Sequence, residues 1–413
     1  MFITLFLKEC KEILKSSTYY IFLACMIIFF ITQMGQFEGV TKPVEGLQDY
    51  GYKYSDDTNI IMETTLQSLI GEFSRNQYVT YPIGFYKEVK LNDEKQNHIF
   101  KIIQEVTGIE EEELKIEIEQ SLNNLNSKES LTLYDSLMLK NGLQFKEFSE
   151  YMNEVDELLG GGSDYNINSM NKNARVPETY EDELKVYEDI IYKDKVSGAY
   201  ARLFSDYMGI VLAILPVFLA VTRVLKDKRS KSSDVIFSKK AVSTTIIISR
   251  YLATIIMILV PLLIISITPT LQSMYSASSN GVDGDLFAFV KYIFGWLMPI
   301  AMVSVSMGFF FTELTNGPIA ILIQGIWWFV SISLGASNLV GNVGLNLIPR
   351  FNTLGEYDIY ISVFNELVVN RLFYSFISVI LIIATIFIYD MKRRGVLNIN
   401  GKIFKNRKGK LEV

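Results

Sequence analysis

YYIFLACMIIFFITQM, Tyr19 to Met34, is an apolar run without a single charge near the front of a 413-residue chain. A hydrocarbon layer about 30 Å thick is crossed by about 20 apolar residues of helix, and this run reaches that length with its interfacial flanks. About 170 mostly polar residues then follow with no second such stretch. Five more crowd the second half: Asp206 to Leu225, Thr244 to Ile267, Phe287 to Phe311, Pro318 to Ser337 and Leu372 to Tyr389. Almost none carries a charge at its centre. The pattern predicts an all-α polytopic membrane protein with six transmembrane helices and a soluble part inserted after the first.

Composition agrees, since 49% of the residues are hydrophobic and mean hydropathy is positive, which a soluble chain of this length rarely shows. Phe2 to Lys15 (FITLFLKECKEILK) is amphipathic rather than a short basic leader, and no small-residue cleavage site follows Met34. The first span is therefore expected to be retained. Six spans place both termini on one side.

Charge selects the side. Between Gln36 and Leu203 about 32 acidic residues face about 17 basic ones, which leaves the rest of the chain basic although the whole carries −6. The basic residues cluster. Lys8, Lys11 and Lys15 precede span one, seven Lys and Arg from Arg223 to Lys240 follow span two, and Lys392 to Lys410 follow span six. The stretch from Thr268 to Leu286 has neither Lys nor Arg. By the positive-inside bias both termini and the loop after span two are expected in the cytoplasm, and the acidic insert outside.

The insert reads as mostly helical. Ile60 to Phe73, Gln96 to Val106, Glu110 to Leu125 and Phe145 to Leu159 space apolar residues three and four apart. Tyr78 to Val89 reads as extended chain, and Gly160-Gly161-Gly162-Ser163 as a flexible breaker. From Pro177 the helical pattern resumes and is expected to run through Tyr200 and Phe204 into span two as a stiff stalk. Cys10 and Cys25 lie outside the insert, so an ordinary core must hold it. His98, the sole histidine, has no second His or Cys to share a metal and reads as a surface helix residue.

No phosphate loop, His-Glu-x-x-His, Gly-x-Ser-x-Gly or paired-cysteine motif is present. Glu110 to Glu113 lacks the alternating ligands and turn glycine of a calcium loop and instead opens a helix. The chain is expected to have no catalytic residue, metal or cofactor of its own, and no nucleic-acid partner. Within the spans, Pro216, Pro261 and Pro299 are bending points and Gly308, Gly325 and Gly335 close-approach points. Trp327 and Trp328 lie well inside span five. With Pro216 and Pro299 they are the candidates for a substrate path. Arg250 and Lys291 lie near span ends, where they are expected to snorkel.

The segment RVLKDKRSKSSDVIFSKKAVSTTIIISRYLATIIMILVPLL from Arg223 hangs a short amphipathic piece, Asp234 to Ser238, between two basic clusters. Here the chain resembles the ABC-2 type permeases, the membrane subunits of type V ABC exporters. The resemblance extends to GGGSDY at Gly160, to SGAYARLFSDYMGIVLAILPVFLAVTR from Ser197 and to ELVVNRLFYSFISVILIIATIFIYDMKRRG from Glu366. It is similar to a bacterial subgroup with a large helical extracellular domain between the first two spans. Many members carry a Glu near the start of the coupling loop, where this chain offers Asp227 and Asp234.

The resemblance implies residues 1–17 as a cytoplasmic interfacial helix, 18–35 as span one and 36–203 as the extracellular domain. Residues 204–225 are then span two, 226–243 a cytoplasmic loop with a coupling helix, 244–389 spans three to six, and 390–413 a basic tail. It implies a multi-pass protein of the bacterial cell membrane that exports a substrate, such as an amphipathic peptide, antibiotic or lipid. Two copies of a separate cytoplasmic ATPase would bind and hydrolyse ATP with magnesium, and a second or homologous permease would complete the complex. Asp227, Arg229, Asp234, Val235, Ile236 and Phe237 would meet the ATPase, with membrane lipids around the basic clusters. Three apolar side chains in a cytoplasmic loop otherwise face water, and docking each large one gains about 2–3 kcal/mol. The competing expectation is a non-transporting membrane scaffold or secretion accessory with the same helical insert.

Overall fold

The computed structural model describes residues 1–35, 38–47, 49–82, 86–116, 118, 139–167, 169–230, 236–238, 240–337 and 340–397. The described residues are mostly helical, with two short β-pairs. The chain divides into two compact units, Pro43–Glu183 and Met1–Lys42 with Leu184–Val413.

The Pro43–Glu183 unit packs three amphipathic helices, α3 (Thr58–Arg75), α4 (Asp93–Thr107) and α5 (Phe145–Leu159). They share one core that includes Leu69, Ile70, Ile99, Ile103, Phe148 and Met152. Asp57 and Asn92 cap α3 and α4 by accepting the backbone N–H of Asn59 and Lys95, which satisfies donors that have no partner in the first turn. The segment read as extended forms an antiparallel pair, β2 (Tyr78–Thr80) with β3 (Lys87–Val89), while β1 (Tyr52–Tyr54) pairs with β4 (Arg175–Pro177). Helix is described over 111–116, and the rest of the predicted Glu110–Leu125 helix lies largely outside the described residues.

The glycine cluster is an anchored turn rather than a loose breaker. Gly160, Gly161 and Gly162 all have positive φ, and a Cβ on Gly162 would stand 2.7 Å from Pro82 Cα. Asp156 holds the turn by accepting the Ser163 N–H and Oγ–H, each at 2.7 Å, and Asn166 Nδ2 at 3.2 Å. His98 sits on α4 with its ring 2.7 Å from Glu154 of α5. Glu72 lies between α3 and β2, accepting from Tyr165 Oη at 2.6 Å and the Val79 N–H at 3.1 Å.

In the other unit an amphipathic helix, α1 (Phe2–Leu14), precedes the apolar α2 (Ser17–Met34). After a short acidic helix, α6 (Tyr180–Glu188), the chain forms one π-turn and then breaks at Lys195 and Val196, both with positive φ. The expected continuous stalk is therefore absent. Left-handed backbone is unfavourable for a β-branched residue, and Arg202, which grips Asp194 at 2.8 Å, secures the break.

The chain continues as α7 (Ser197–Leu212), α8 (Leu215–Arg229) and α9 (Ser243–Ser279). A short α10 (Ala288–Tyr292) runs through a π-turn into α11 (Met298–Thr315). Asn316, left-handed at φ 54°, ends α11, and Pro318 directs the chain into α12 (Ile319–Ser337). The last two helices are a short α13 (Tyr357–Ser362) and α14 (Phe364–Arg393).

Five helical stretches are long and apolar enough to cross a membrane: α2, α7–α8, α9, α10–α11 and α14. The expected fifth of six spans falls on α12, whose apolar stretch Ile319–Ser333 is shorter than these five. This is the architecture of a multi-pass helical membrane protein. The stretches α10–α11 and α7–α8 are mostly buried, whereas α2 and α14 expose rows such as Ile21, Ile28, Ile31 and Leu372, Phe376, Phe387, as suits a lipid-facing helix. Gly308 brings α11 against α8, because a Cβ there would lie 2.5 Å from Ala220 Cβ. Gly325, by contrast, has nothing within 4 Å of such a Cβ.

Two outcomes follow from these contacts. Gly308→Ala overpacks the α8–α11 crossing and should lower stability by about 1–3 kcal/mol. Thermal unfolding in detergent measures this, and Ala220→Gly in the same chain should recover most of the loss. Burial raises the Glu72 carboxyl above its ordinary 4.5, against the opposing bonds from Tyr165 and Val79. The folded state thus binds this proton more tightly than the unfolded chain does. Stability from this group is fully present below about pH 4.5 and is lost as pH rises through the raised value. Glu72→Gln should flatten that slope in unfolding midpoints taken between pH 4 and pH 7; equal slopes in both proteins would refute the assignment.

Candidate functional site

Of the predicted partner-binding residues, Asp227, Arg229, Ile236 and Phe237 lie at the end of the membrane unit where α1, the end of α8, the start of α9 and the end of α14 converge. Arg223 and Asp227 are one turn apart on α8 and bridge at 3.1 Å. Arg223 also forks onto Glu9 of α1, with Nη2 2.6 Å from Oε1 and Nε bonded to Oε2. Arg250 of α9 completes the group, 2.5 Å from Asp227 and 3.4 Å from Glu9. Two cations and two anions therefore neutralise one another. Glu9 and Arg250 are buried, at 7% and 3% exposure. Beside them Lys226 pairs with Glu12 and holds that carboxyl below its ordinary range.

Asp227 thus faces inward, tying three elements together, while Arg229 is exposed at the helix end. Arg250 does not snorkel: it is enclosed, with its guanidinium 6.0 Å from the Tyr389 ring centre. Sequence reasoning missed Glu9 altogether. The signal is its position on the face of α1 that carries Phe6 and Ile13, where a three-and-four spacing otherwise places apolar residues.

Of the loop, Asp234 and Val235 lie outside the described residues. Ile236 and Phe237 form a helical turn, half-buried against the end of α14. The Phe237 ring packs edge-on to Tyr389 at 5.5 Å. Arg393 Nε donates to the Phe237 carbonyl at 3.0 Å, and its Nη1 to that of Ala241 at 2.5 Å. Ser243 Oγ donates to Asp390 at 2.8 Å. On the neighbouring side Lys392 bridges Glu313 at 2.9 Å and Asn316 at 2.8 Å, tying α14 to the end of α11. The loop is therefore bound to the last span as well as to the second and third.

The substrate-path candidates lie deeper. Pro216 has no N–H to give Leu212, and the chain around it shifts to shorter bonds, Ile214 N–H to Val211 and Val217 N–H to Ile214. The carbonyls of Ile210 and Ala213 lose their usual donors as a result. Trp328 Nε1 supplies the first at 2.9 Å and Gln324 Nε2 the second at 2.6 Å. Trp328 thereby joins α12 to the break in α7–α8, and Trp327 stands 5.7 Å from the Tyr374 ring of α14. Pro299 is buried at the start of α11, just after the π-turn Ile293–Leu297.

At the opposite end a second set of polar residues is enclosed. Arg202 pairs with Asp194 and donates to the carbonyls of Leu354 and Gly355, each at 2.9 Å. Asp206 accepts Arg350 at 2.8 Å and the Phe351 N–H at 3.1 Å. Asp206 and Arg223 are separated by about 25 Å of helix at 1.5 Å per residue, so the two charged layers bracket an apolar band close to the hydrocarbon thickness. Among the described residues no cluster of His, Cys, Asp and Glu is placed to hold a metal ion.

No family model, curated protein or solved structure matches this chain.

Removing one member of the four-charge group leaves an uncompensated buried charge, at a cost of about 3–5 kcal/mol. Glu9→Gln alone should therefore lower the unfolding midpoint in detergent strongly, and Arg250→Gln likewise. The double variant restores neutrality and should lose clearly less than the two separate losses combined. Strict additivity would show that Glu9 and Arg250 are not coupled.

Proposed function

We propose that the chain is the permease subunit of an ABC-2 type exporter, driven by ATP that a separate ATPase subunit hydrolyses. Six spans cross the bacterial cell membrane in this reading, α12 being the fifth. The basic end with both termini faces the cytoplasm, following the clustering of Lys and Arg there, and the acidic Pro43–Glu183 unit is extracellular. Two ATPase copies, with magnesium, and a second permease complete the assembly. The substrate is amphipathic.

The observation that carries this reading is the attachment of the loop between the second and third spans. Ile236 and Phe237 are the apolar part of a segment flanked by Arg229 and Lys240. The same segment is fastened to α14 through Arg393, and α9, which follows it, is fastened to α14 through Ser243 and Asp390. A displacement applied to the loop passes to three spans, and the Glu9 group carries it on to α1. A short apolar turn with such connections is suited to receive the motion of a partner that closes on ATP.

Phe237→Asp should abolish co-purification of the ATPase, or uncouple its ATP turnover from the permease, while the permease itself remains monodisperse. Unchanged assembly and unchanged turnover would remove the coupling role. A non-transporting scaffold would show no ATP turnover that depends on this residue.

A further inference from the structure

Arg202, Arg250 and Arg371 are the buried arginines among the described residues, and Arg202 and Arg250, like the less buried Arg223 and Arg350, are matched by carboxylates. Arg202 has Asp194, Arg223 and Arg250 share Glu9 and Asp227, and Arg350 has Asp206. Arg371, at 4% exposure, has no ion pair among the described residues. Both of its terminal nitrogens reach one acceptor, the Leu347 carbonyl, at 3.4 and 3.3 Å, and its Nε has no hydrogen-bond partner. The Trp296 ring lies 5.9 Å away. A guanidinium cannot discharge itself by losing a proton, so its charge here is carried only by one long-range carbonyl contact and an aromatic face.

The surroundings form a row of donors. Along α14, Asn370, Arg371 and Tyr374 bind the four successive carbonyls of residues 344–347. Asn370 Nδ2 reaches Gly344 at 2.8 Å and Asn346 at 2.9 Å, and Tyr374 Oη reaches Leu345 at 2.5 Å. Neutral donors suffice to hold such a loop, as Asn370 and Tyr374 do. The fixed charge of Arg371 exceeds that need, and Asn346 Nδ2, also buried, is a second donor without a partner among the described residues. Trp327, beside Tyr374, and Trp296 give the neighbourhood an aromatic wall.

We infer that Arg371 is a binding site for the anionic head, carboxylate or phosphate, of an amphiphilic molecule, and that the Leu347 carbonyl occupies the guanidinium fork in its absence. An oxyanion placed there makes two short charge-assisted bonds in place of the two long ones, while its apolar body meets the aromatic wall. Buried charges inside membrane helices characteristically mark ligand pathways. The head is the shared chemistry of an exported amphiphile and of an anionic phospholipid. The inference deepens the exporter reading by naming a substrate class, and the first of these two sources rests on that reading.

The test uses the full chain purified in a neutral detergent and the fluorescence of its three tryptophans. Decyl phosphate should produce a saturable change, and decyltrimethylammonium none. Arg371→Gln should weaken decyl phosphate at least about tenfold, and Arg371→Lys, which keeps the charge but loses the fork, by an intermediate factor. Equal responses to anion and cation, or an Arg371→Gln protein that binds decyl phosphate like the natural chain, would overturn the site. Should Arg371→Gln fail to fold, Arg371→Lys decides, an unweakened affinity overturning the role of the fork. Native mass spectrometry separates the sources: phosphatidylglycerol that co-purifies with the natural chain and is displaced by decyl phosphate identifies a lipid. Stimulation of ATP turnover in the complex by decyl phosphate identifies an exported amphiphile. Binding is measured without the ATPase, so it stands or falls independently of Phe237.

Discussion

Water is absent from the interior of a bilayer, so each polar group that these apolar helices carry inward has to find its partner within the chain. That constraint accounts for most of the specific contacts in the membrane unit. Where Pro216 interrupts hydrogen bonding in α7–α8, the carbonyls set free at Ile210 and Ala213 are met by Trp328 and Gln324. Four charges meet where Glu9, Arg223, Asp227 and Arg250 converge, and they cancel. The break before α7 is held by the Arg202–Asp194 pair. Satisfying these groups is what joins helices that van der Waals packing alone would join less selectively.

The Pro43–Glu183 unit obeys different rules. Its helices bury one face and solvate the other, and Asp57 and Asn92 cap two of them. Polar groups within it bond to one another, as Asp156 does to the turn after Gly162 and Glu72 to Tyr165, 93 residues away in the chain. The unit has a core of its own.

Function, in the reading proposed, arises from the way the membrane unit is cross-braced. The turn at Ile236 and Phe237 is small, yet its backbone is bound by the last span and its flanks lead directly into the second and third. Rigid connections of this kind let a small displacement at one end reorganise several helices together. Arg371 stands apart because its charge has no counter-ion among the described residues, whereas Arg202, Arg223, Arg250 and Arg350 each have one.

Five long apolar stretches in their order, the polar insert and the amphipathic start were legible from residues alone, because length and periodicity are local properties. The helices of the insert were legible for the same reason, from the spacing of residues such as Ile99, Ile102 and Ile103. Asp227 was legible as a residue of interest in the loop region, but its inward direction was not, since that depends on Glu9 and Arg250, distant along the chain. Arg250 reads as a snorkelling residue when only its place near a span end is considered, and Trp328 as a residue of a substrate path. Their partners arrive from other helices, and a charge or a lone donor in an apolar sequence does not specify which one. The sequence by itself determined which segments are apolar enough for lipid and which fold in water. How buried charges pair, which donors meet the carbonyls released at Pro216, and that Arg371 has no carboxylate partner among the described residues all depend on contacts across helices, which only the folded chain sets.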